Sequence, residues 1–510
     1  MYKIFFKLSF FTVLIATIGT GCKKDFLDVP PQGALTVEQA LVDPAAADKL
    51  VTGAYNSLYS QGTVGLKLVI AADVTSDDSD KGSTPSDAGF GGNELDGFTY
   101  TPNTLIFNDL WVEHYKGINR INQALNVLEA GTYAEATKKR LIGEVRFLRG
   151  YFYFNLVRMF GGVPKLIRVP NASEANADEF QTRTTKEAIY QVIVDDLLYS
   201  VLNLPEKGAA GSQVGRATKG AAQSLLSKVY LYQQKYQLAY DVSLTVINSN
   251  KYSLGADYAN VFREVGNNNI ESIFEVQTGA ANTATGGCAV NPNYSNFQGP
   301  RGAFPAQTVG GQLYDAGDLG FGLNTPTANL AGAYEAGDNR RNATIIFTSN
   351  SGPTVLWDGF TIPSQPAVTN ERYNYKAYHS PFLETKACNG IGDKDNKPKN
   401  IRIIRFAEVL LINAEAAAQL GLNALTPLSR VRSRAGLTTT TATVNDVLKE
   451  RRVELAMEAD RFFDLVRTNR AASVMIAHGK PFVAGKHELF PIPQIQRDFS
   501  GGRITQNPNY

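Results

Sequence analysis

The sequence predicts a mostly α protein in which pairs of helices form a scaffold and long irregular loops with a few short strands fill the gaps. Three observations predict this. Apolar residues recur at helical spacing over 36–60, 104–160, 184–249 and 401–470. Stretches rich in Gly, Asn, Thr and Pro, chiefly 61–103 and 279–400, separate those segments and read as loops. A hydrophobic content of 43% over 510 residues is enough apolar surface for an ordinary globular core.

The chain opens with a different kind of segment. Lys3 and Lys7 make a small positive region, Leu8 to Ile18 is an unbroken run of apolar and hydroxyl residues, and the run ends in GTGC. It is too short to cross a bilayer as a helix and has the pattern of a secretory signal peptide, expected over residues 1–21. A Cys directly after small residues resembles the lipobox of bacterial lipoproteins, which makes Cys22 the expected lipid attachment point; Gly19 stands where that motif usually has Leu. Removing the leader takes away two lysines and no acids, leaving forty-eight side chains of each sign. A neutral mature chain has no electrostatic footprint for nucleic acid. No later segment has the length and apolarity of a membrane span, so membrane attachment is expected through lipid alone. Cys288 and Cys388 remain in an exported chain where a disulfide is permitted, and the sequence leaves pairing and free thiols both open.

The helices that follow have legible ends. Asp43 before Pro44 supplies an N-cap acceptor and a fixed φ at the first helical position of DPAAADKLVTGAYNSLY. GEVRFLRGYFYFNLVRMF is apolar on nearly every face and stops at Gly161 and Gly162, as a helix surrounded by other helices would. Thr184 with Glu187 three residues on predicts a capping box for the next helix, which Pro205 follows. TKGAAQSLLSKVYLYQQ and YQLAYDVSLTVINSN are joined through Lys235, and the small residues Gly220, Ala221, Ala222 and Ala239 with Tyr230 fit the helix-pair pattern of tetratricopeptide repeats. Trp111, in the helical stretch before them, is expected in the core.

Signs of catalytic chemistry are few. His114, His379, His478 and His487 do not stand at metal-ligand spacing from one another or from a cysteine. GFGG at Gly89–Gly92 and LGFGL at Leu319–Leu323 lack the spacing and the strand-to-helix setting of phosphate-binding loops. DVTSDDSDKG clusters Asp73, Asp77, Asp78 and Asp80, hard oxygen donors of the kind that hold calcium, although the spacing is not that of an EF-hand and no Glu closes the loop. The alternatives are a solvated turn or acceptors for the hydroxyls of a polar ligand. DKDN at Asp393 reads as a turn.

Paired carboxylates for glycoside hydrolysis need no linear motif, so the densest charge cluster has to be weighed. ERRVELAMEADRFFDLVR, Glu450 to Arg467, holds five carboxylates and four arginines in eighteen residues. On a single helix Glu450, Glu454 and Glu458 fall on one line, with Val453, Met457 and Phe463 on one apolar stripe and Leu455, Phe462 and Val466 on another. Arg451 lies within reach of Glu454, and Arg461 of Glu458. Charges between two apolar stripes must be paired, and paired carboxylates with lowered pKa values are poor general acids. The stretch therefore reads as structural.

Five segments carry a resemblance: RFLRGYFYFNLVRMFGGVP (146–164), IRIIRFAEVLLINAEAA (401–417), RVRSRAGL (430–437), LKERRVELAMEADRFFDLVR (448–467) and ELFPIPQIQRDFSGGRITQNPNY at the end. In this order they resemble the hallmarks of the SusD/RagB family, nutrient-binding outer-membrane lipoproteins of Bacteroidetes. The resemblance implies a SusD-like fold forming one structural unit, with an N-terminal part over 22–270 and a C-terminal part over 271–510 that carries ligand-binding loops and closing helices. It further implies a cell-surface protein that captures oligosaccharide, or in some members peptide, and passes it to a SusC-like TonB-dependent transporter, with neither catalysis nor an organic cofactor.

A sugar has apolar C–H faces and a rim of hydroxyls, so a site needs a flat aromatic and nearby polar groups. The loops offer Trp357, which can also pack beneath its own loop. NERYNYKAYHS offers Arg372 and Tyr375 on a segment whose alternation predicts an aromatic strand face. Asp73, Asp77 and Asp78 complete the set of expected ligand contacts.

Overall fold

The computed structural model describes residues 36–87, 89–174, 176–278, 293–315, 317–385 and 397–510. The leader, the three cysteines Cys22, Cys288 and Cys388, and the DKDN turn lie outside the described residues.

Helices are the main regular structure of the described residues. Helix α1, Pro44–Tyr55, starts where the sequence predicts, with the Asp43 carboxylate accepting from the Ala45 amide and Pro at the first turn. Helices α2 (Leu105–Ala130) and α3 (Glu135–Phe160) form an antiparallel hairpin, and α4 (Lys186–Asn203) packs along α3. From Leu141 onward nearly every α3 side chain is buried, Arg146 and Arg158 excepted. Close approach of α4 depends on Gly150: a Cβ there would stand 3.2 Å from the Leu197 side chain. The α4 cap falls one residue later than the sequence suggests. Thr185, not Thr184, accepts from the Ala188 amide, because Thr184 is held as a β-bridge to Val163.

The next pair, α5 (Lys219–Tyr232) and α6 (Tyr236–Asn248), is joined by three residues and follows the predicted spacing. Helix α7, Phe406–Leu420, lies against α6 and ends at Gly421 with a left-handed φ of 68°. Helices α8 (Leu425–Arg434), α9 (Val444–Glu454) and α10 (Arg461–Arg467) close this side.

Three expectations need correction. Residues 401–405 are a strand, not the start of a helix: IRIIR pairs antiparallel with Ser272–Val276, a pairing that suits its isoleucines. Leu66–Asp73, inside a stretch read as loop, is a helix with every side chain but Lys67 buried. The charged stretch 450–467 is two helices, with left-handed Met457 (φ 62°) and Ala459 (φ 63°) between them. The break has a cause: the Glu454 carbonyl accepts from Arg405 Nη2 (2.6 Å), Lys376 Nζ (3.0 Å) and Tyr258 Oη (2.9 Å), and Glu458 N turns to the Leu455 carbonyl instead.

The strands are short antiparallel pairs between the helical parts: β1 (Ser79–Gly82) with β5 (Leu323–Pro326), β2 (Ser272–Val276) with β10 (Ile401–Arg405), β3 (Gln307–Val309) with β4 (Gln312–Tyr314), β6 (Ile345–Phe347) with β9 (Arg372–Asn374), and β7 (Thr354–Val355) with β8 (Thr361–Ile362). One continuous core runs from Ala47 to Ile504, drawing on both halves of the chain, and Trp111 is part of it. A smaller core, including Phe304, Phe360, Tyr373 and Tyr378, lies under the loops. The short strands thus hold loop segments against a helical frame.

Candidate functional site

The charged stretch at 450–467 is a buried ion-pair hub. Glu454 is fully buried; one carboxylate oxygen accepts from Arg405 and Arg434, and the other from Arg340 Nη1 at 2.9 Å. Glu450 takes Arg340 and Arg432, and Glu458 takes Arg405 at 2.8 Å and Lys376 at 2.6 Å. Burial alone would raise the pKa of Glu454, but Arg434, Arg405 and Arg340 outweigh it and hold the carboxyl well below the ordinary range. Glu454 and Glu458 are ionised acceptors, poor as proton donors, whereas burial pushes the Glu450 carboxyl above the ordinary range despite Arg340. The pairing expected within one helix is replaced by longer connections: Arg451 bonds Asp464, and Arg461 bonds Asp77.

That last contact overturns the reading of the acidic loop. Asp73, Asp77 and Asp78 are all buried, so they are not a solvated turn, and their carboxylates face arginine and amide donors. Asp77 receives a two-point bond from Arg461 (2.8 and 3.0 Å) and a contact from Arg452 at 2.9 Å. Asp78 accepts from Arg452 at 2.7 Å. Asp73 accepts from the Ala459 amide at 3.0 Å and Asn324 Nδ2 at 2.9 Å, and burial pushes it up to about 7. Arginine and amide donors take both oxygens of Asp73 and Asp77 and Oδ1 of Asp78, and only Asp78 Oδ2 is left without a partner among the described residues. Among the described residues no group of three or more His, Cys, Asp or Glu is arranged to hold a metal.

The other expected contacts divide. Trp357 and Tyr375 come together: the Tyr375 hydroxyl accepts from the Trp357 backbone amide at 3.0 Å, and both are half-buried against the smaller core. Arg372 lies on β9 and is turned elsewhere, its Nε donating to the Pro326 carbonyl and its Nη1 to Glu371. The predicted aromatic strand is only three residues long, and Tyr373 and Tyr378 are core.

A surface the sequence reading missed lies elsewhere. Phe90, Phe297 and Phe321 form an arc: Phe297 and Phe321 stack with ring centroids 4.6 Å apart at 24°, and Phe90 leans on Phe297 at 5.4 Å and 58°. Phe90 is 41% exposed and the other two are half-buried. Phe90 is held in a left-handed conformation (φ 58°), an uncommon one for an aromatic residue, before Gly91 (φ 89°). Phe321 is clamped by backbone pairing, its amide donating to the Asn296 carbonyl at 2.9 Å and that of Gly322 to Gly299 at 3.0 Å. So close an approach needs Gly320, where a Cβ would stand 2.3 Å from the Asn296 oxygen.

Beneath the arc is a buried amide cluster. Gln298 Oε1, next to Phe297, accepts from Asn324 and Asn374 at 2.9 and 2.8 Å, and Asn324 accepts from the Ser79 hydroxyl at 2.6 Å. Polar groups flank the rings. Lys67 Nζ lies 5.7 Å from the Phe90 ring centre and donates to Asp109 at 2.8 Å, near Glu113. Arg301, whose Cβ lies close to Gly322 beside Phe321, donates to Asp87 and Ser83. Apolar faces with hydroxyl-bonding groups at their edges match the two kinds of surface a sugar presents. Two of the three rings were visible in sequence, since Phe90 and Phe321 each sit between glycines in GFGG and LGFGL.

Fold and site together define a helix-pair scaffold that presents aromatic side chains on loops. Residues 25–231 match the SusD-like family described as starch-binding associating with outer membrane, and residues 270–510 match the SusD family. The chain belongs to the SusD/RagB family. It is 26% identical over 540 aligned positions to SusD-like protein P2 of Formosa agariphila, covering 99% of both chains. A SusD-like protein of Bacteroides ovatus is 28% identical over 385 positions, which span 70% of this chain and 64% of that one. A solved laminarin binding SusD-like protein superposes with a TM-score of 0.75 at 29% identity, covering 91% of this chain and 99% of that one.

Proposed function

We propose that this protein is a cell-surface glycan-binding lipoprotein, anchored through Cys22, that captures oligosaccharide on the Phe90–Phe297–Phe321 arc and delivers it to a SusC-like TonB-dependent transporter in the outer membrane. The observation that carries the reading is the arc itself: three aromatic rings held at a loop surface by glycines, a buried amide cluster and strained backbone, with charged side chains beside them. The similarity to a laminarin binding SusD-like protein supports a glucan as ligand. No catalysis and no organic cofactor belong to this role; the acids of 450–467 that would have to act in hydrolysis are buried in ion pairs with arginine and lysine. Ring stacking adds on the order of 1 kcal/mol per contact, about fivefold, and the apolar area buried with it brings each ring to about tenfold in affinity.

The test is calorimetric titration of the purified mature protein with laminarihexaose, maltohexaose and cellohexaose. Binding of at least one hexasaccharide, weakened about tenfold by Phe90→Ala and by Phe321→Ala with unchanged circular dichroism, is the expected result. Acidic or neutral peptides binding where none of the sugars do would refute it.

A further inference from the structure

A second cleft, sharing no residue with the arc, is built around Trp357. It is an open hollow of about 600 Å³ lined by Asn260, Arg263, Glu264, Trp357, Leu383 and Thr385, among others. The Arg263 guanidinium lies over the Trp357 ring at 4.3 Å. Stacking uses the face of a guanidinium and leaves its in-plane N–H edge available. Here Nη1 donates to Asn260 Oδ1 at 2.9 Å, and among the described residues neither Nε nor Nη2 has an acceptor and no carboxylate lies at ion-pair distance. Most arginines of this protein are committed to carboxylates or backbone carbonyls; Arg263 is one of the few that are not, and it lies in a cleft.

Its surroundings are fixed in place. The Arg263 carbonyl accepts from Arg402 Nη2 at 2.9 Å, and Tyr375 pins the Trp357 backbone. The Trp357 indole N–H makes no hydrogen bond to the described residues. The two acids of the cleft are turned inward: Glu264 accepts from the Thr385 amide and hydroxyl, while Glu384 accepts from the Glu264 and Ser380 amides. Val265 and Leu383, 76% and 62% exposed, flank the opening.

We propose that this cleft is a second saccharide site, in which the free Nε/Nη2 edge of Arg263 holds two neighbouring hydroxyls of one sugar unit and the Trp357 indole N–H holds a third oxygen, with Val265 and Leu383 against its C–H groups. The inference rests on the carbohydrate reading above. It adds that one protein grips a polymer at two places, so a polysaccharide binds more tightly than a hexasaccharide by avidity.

Titration with the hexasaccharide that the wild type binds, followed by retention in a native gel containing the matching polysaccharide, tests it. The expected stoichiometry is two sugars per protein, falling to one in Arg263→Ala, in Arg263→Lys, which keeps the charge but loses the planar edge, and in Trp357→Ala. Each of these also lowers polysaccharide retention at least tenfold. Phe321→Ala weakens the other site about tenfold and leaves this one unchanged. A stoichiometry of one whose affinity falls about tenfold in Phe321→Ala and is unchanged in Arg263→Ala would overturn this inference and leave the arc assignment standing. One site abolished by Arg263→Ala alone would overturn the arc and, with it, the claim of a second site. Binding of none of the sugars would overturn both.

Discussion

Replacing Glu454 by Ala removes the acid at the centre of the ion-pair hub. Three guanidiniums lose an acceptor at once, those of Arg340, Arg405 and Arg434. Each keeps another partner: Arg340 has Asp338 and Glu450, Arg405 has Glu271 and Glu458, and Arg434 has Glu271. The loss is therefore that of one broken buried pair and not three, about 3–5 kcal/mol. Against a typical total stability of roughly 5–15 kcal/mol, that is a large fraction. Heat is a poor readout. At roughly 2 cal/mol/K per residue, a chain of 510 residues has an unfolding entropy of about 1 kcal/mol/K, so 4 kcal/mol moves Tm by only about 4 °C. Urea denaturation, read as the shift in midpoint multiplied by the m-value, measures the effect directly. Hexasaccharide affinity of the variant at low urea should stay within twofold of wild type. A Glu454→Ala protein within 1 kcal/mol of wild-type stability, or one that keeps its stability and loses sugar binding, would refute the structural role assigned to the hub.

Three further outcomes follow from the same geometry. Arg461→Ala leaves Asp77 with Arg452 alone and should cost about 3 kcal/mol in urea denaturation, with sugar affinity unchanged; the reverse pattern would make Arg461 a ligand contact. Asp73 titrates near 7 in the folded protein and near 3.8 when unfolded, so the folded state holds an extra proton between those values. The stability it contributes is present below about pH 4 and is lost as pH rises through 7, by up to roughly 4 kcal/mol. Asp73→Asn should flatten that part of the stability–pH curve, and an unaltered slope would show that Asp73 is not the titrating group. Gly320→Ala places a methyl group against the Asn296 carbonyl and should weaken hexasaccharide binding by up to about tenfold by displacing Phe321, measured by the same titration; wild-type affinity would show that the clamp is dispensable.

Local signals were the legible ones. Asp43 before Pro44, the small residues of α5 and the glycines after α3 each act on backbone within a turn of themselves, and the structure follows them. The break after Glu454 was not legible, because the donors that capture its carbonyl come from Tyr258, Lys376 and Arg405. Asp77 and Asp78 looked like an open acidic loop for the same reason: their partners, Arg452 and Arg461, stand more than 370 positions away. The pairing of charges in 450–467 was inferred correctly from apolar stripes on both sides, but the partners were assigned within one helix that does not exist. For the binding surface, glycine-flanked Phe90 and Phe321 could have been marked as exposed rings. Phe297, on a five-residue helix, carries no such sign, and β1–β5 pairing, the Asn296–Phe321 and Gly299–Gly322 backbone bonds and the Gln298–Asn324 contact bring the three together.

The central claim, that the phenylalanine arc is where sugar binds, is tested most directly by a crystal structure of the protein soaked with the hexasaccharide that binds in solution. The account predicts sugar rings lying on Phe90 and Phe321 with C–H to ring-carbon contacts of about 4 Å and hydroxyls reaching Lys67, Asp109 or Arg301. Sugar bound elsewhere, with the arc bare at saturating ligand, would contradict it.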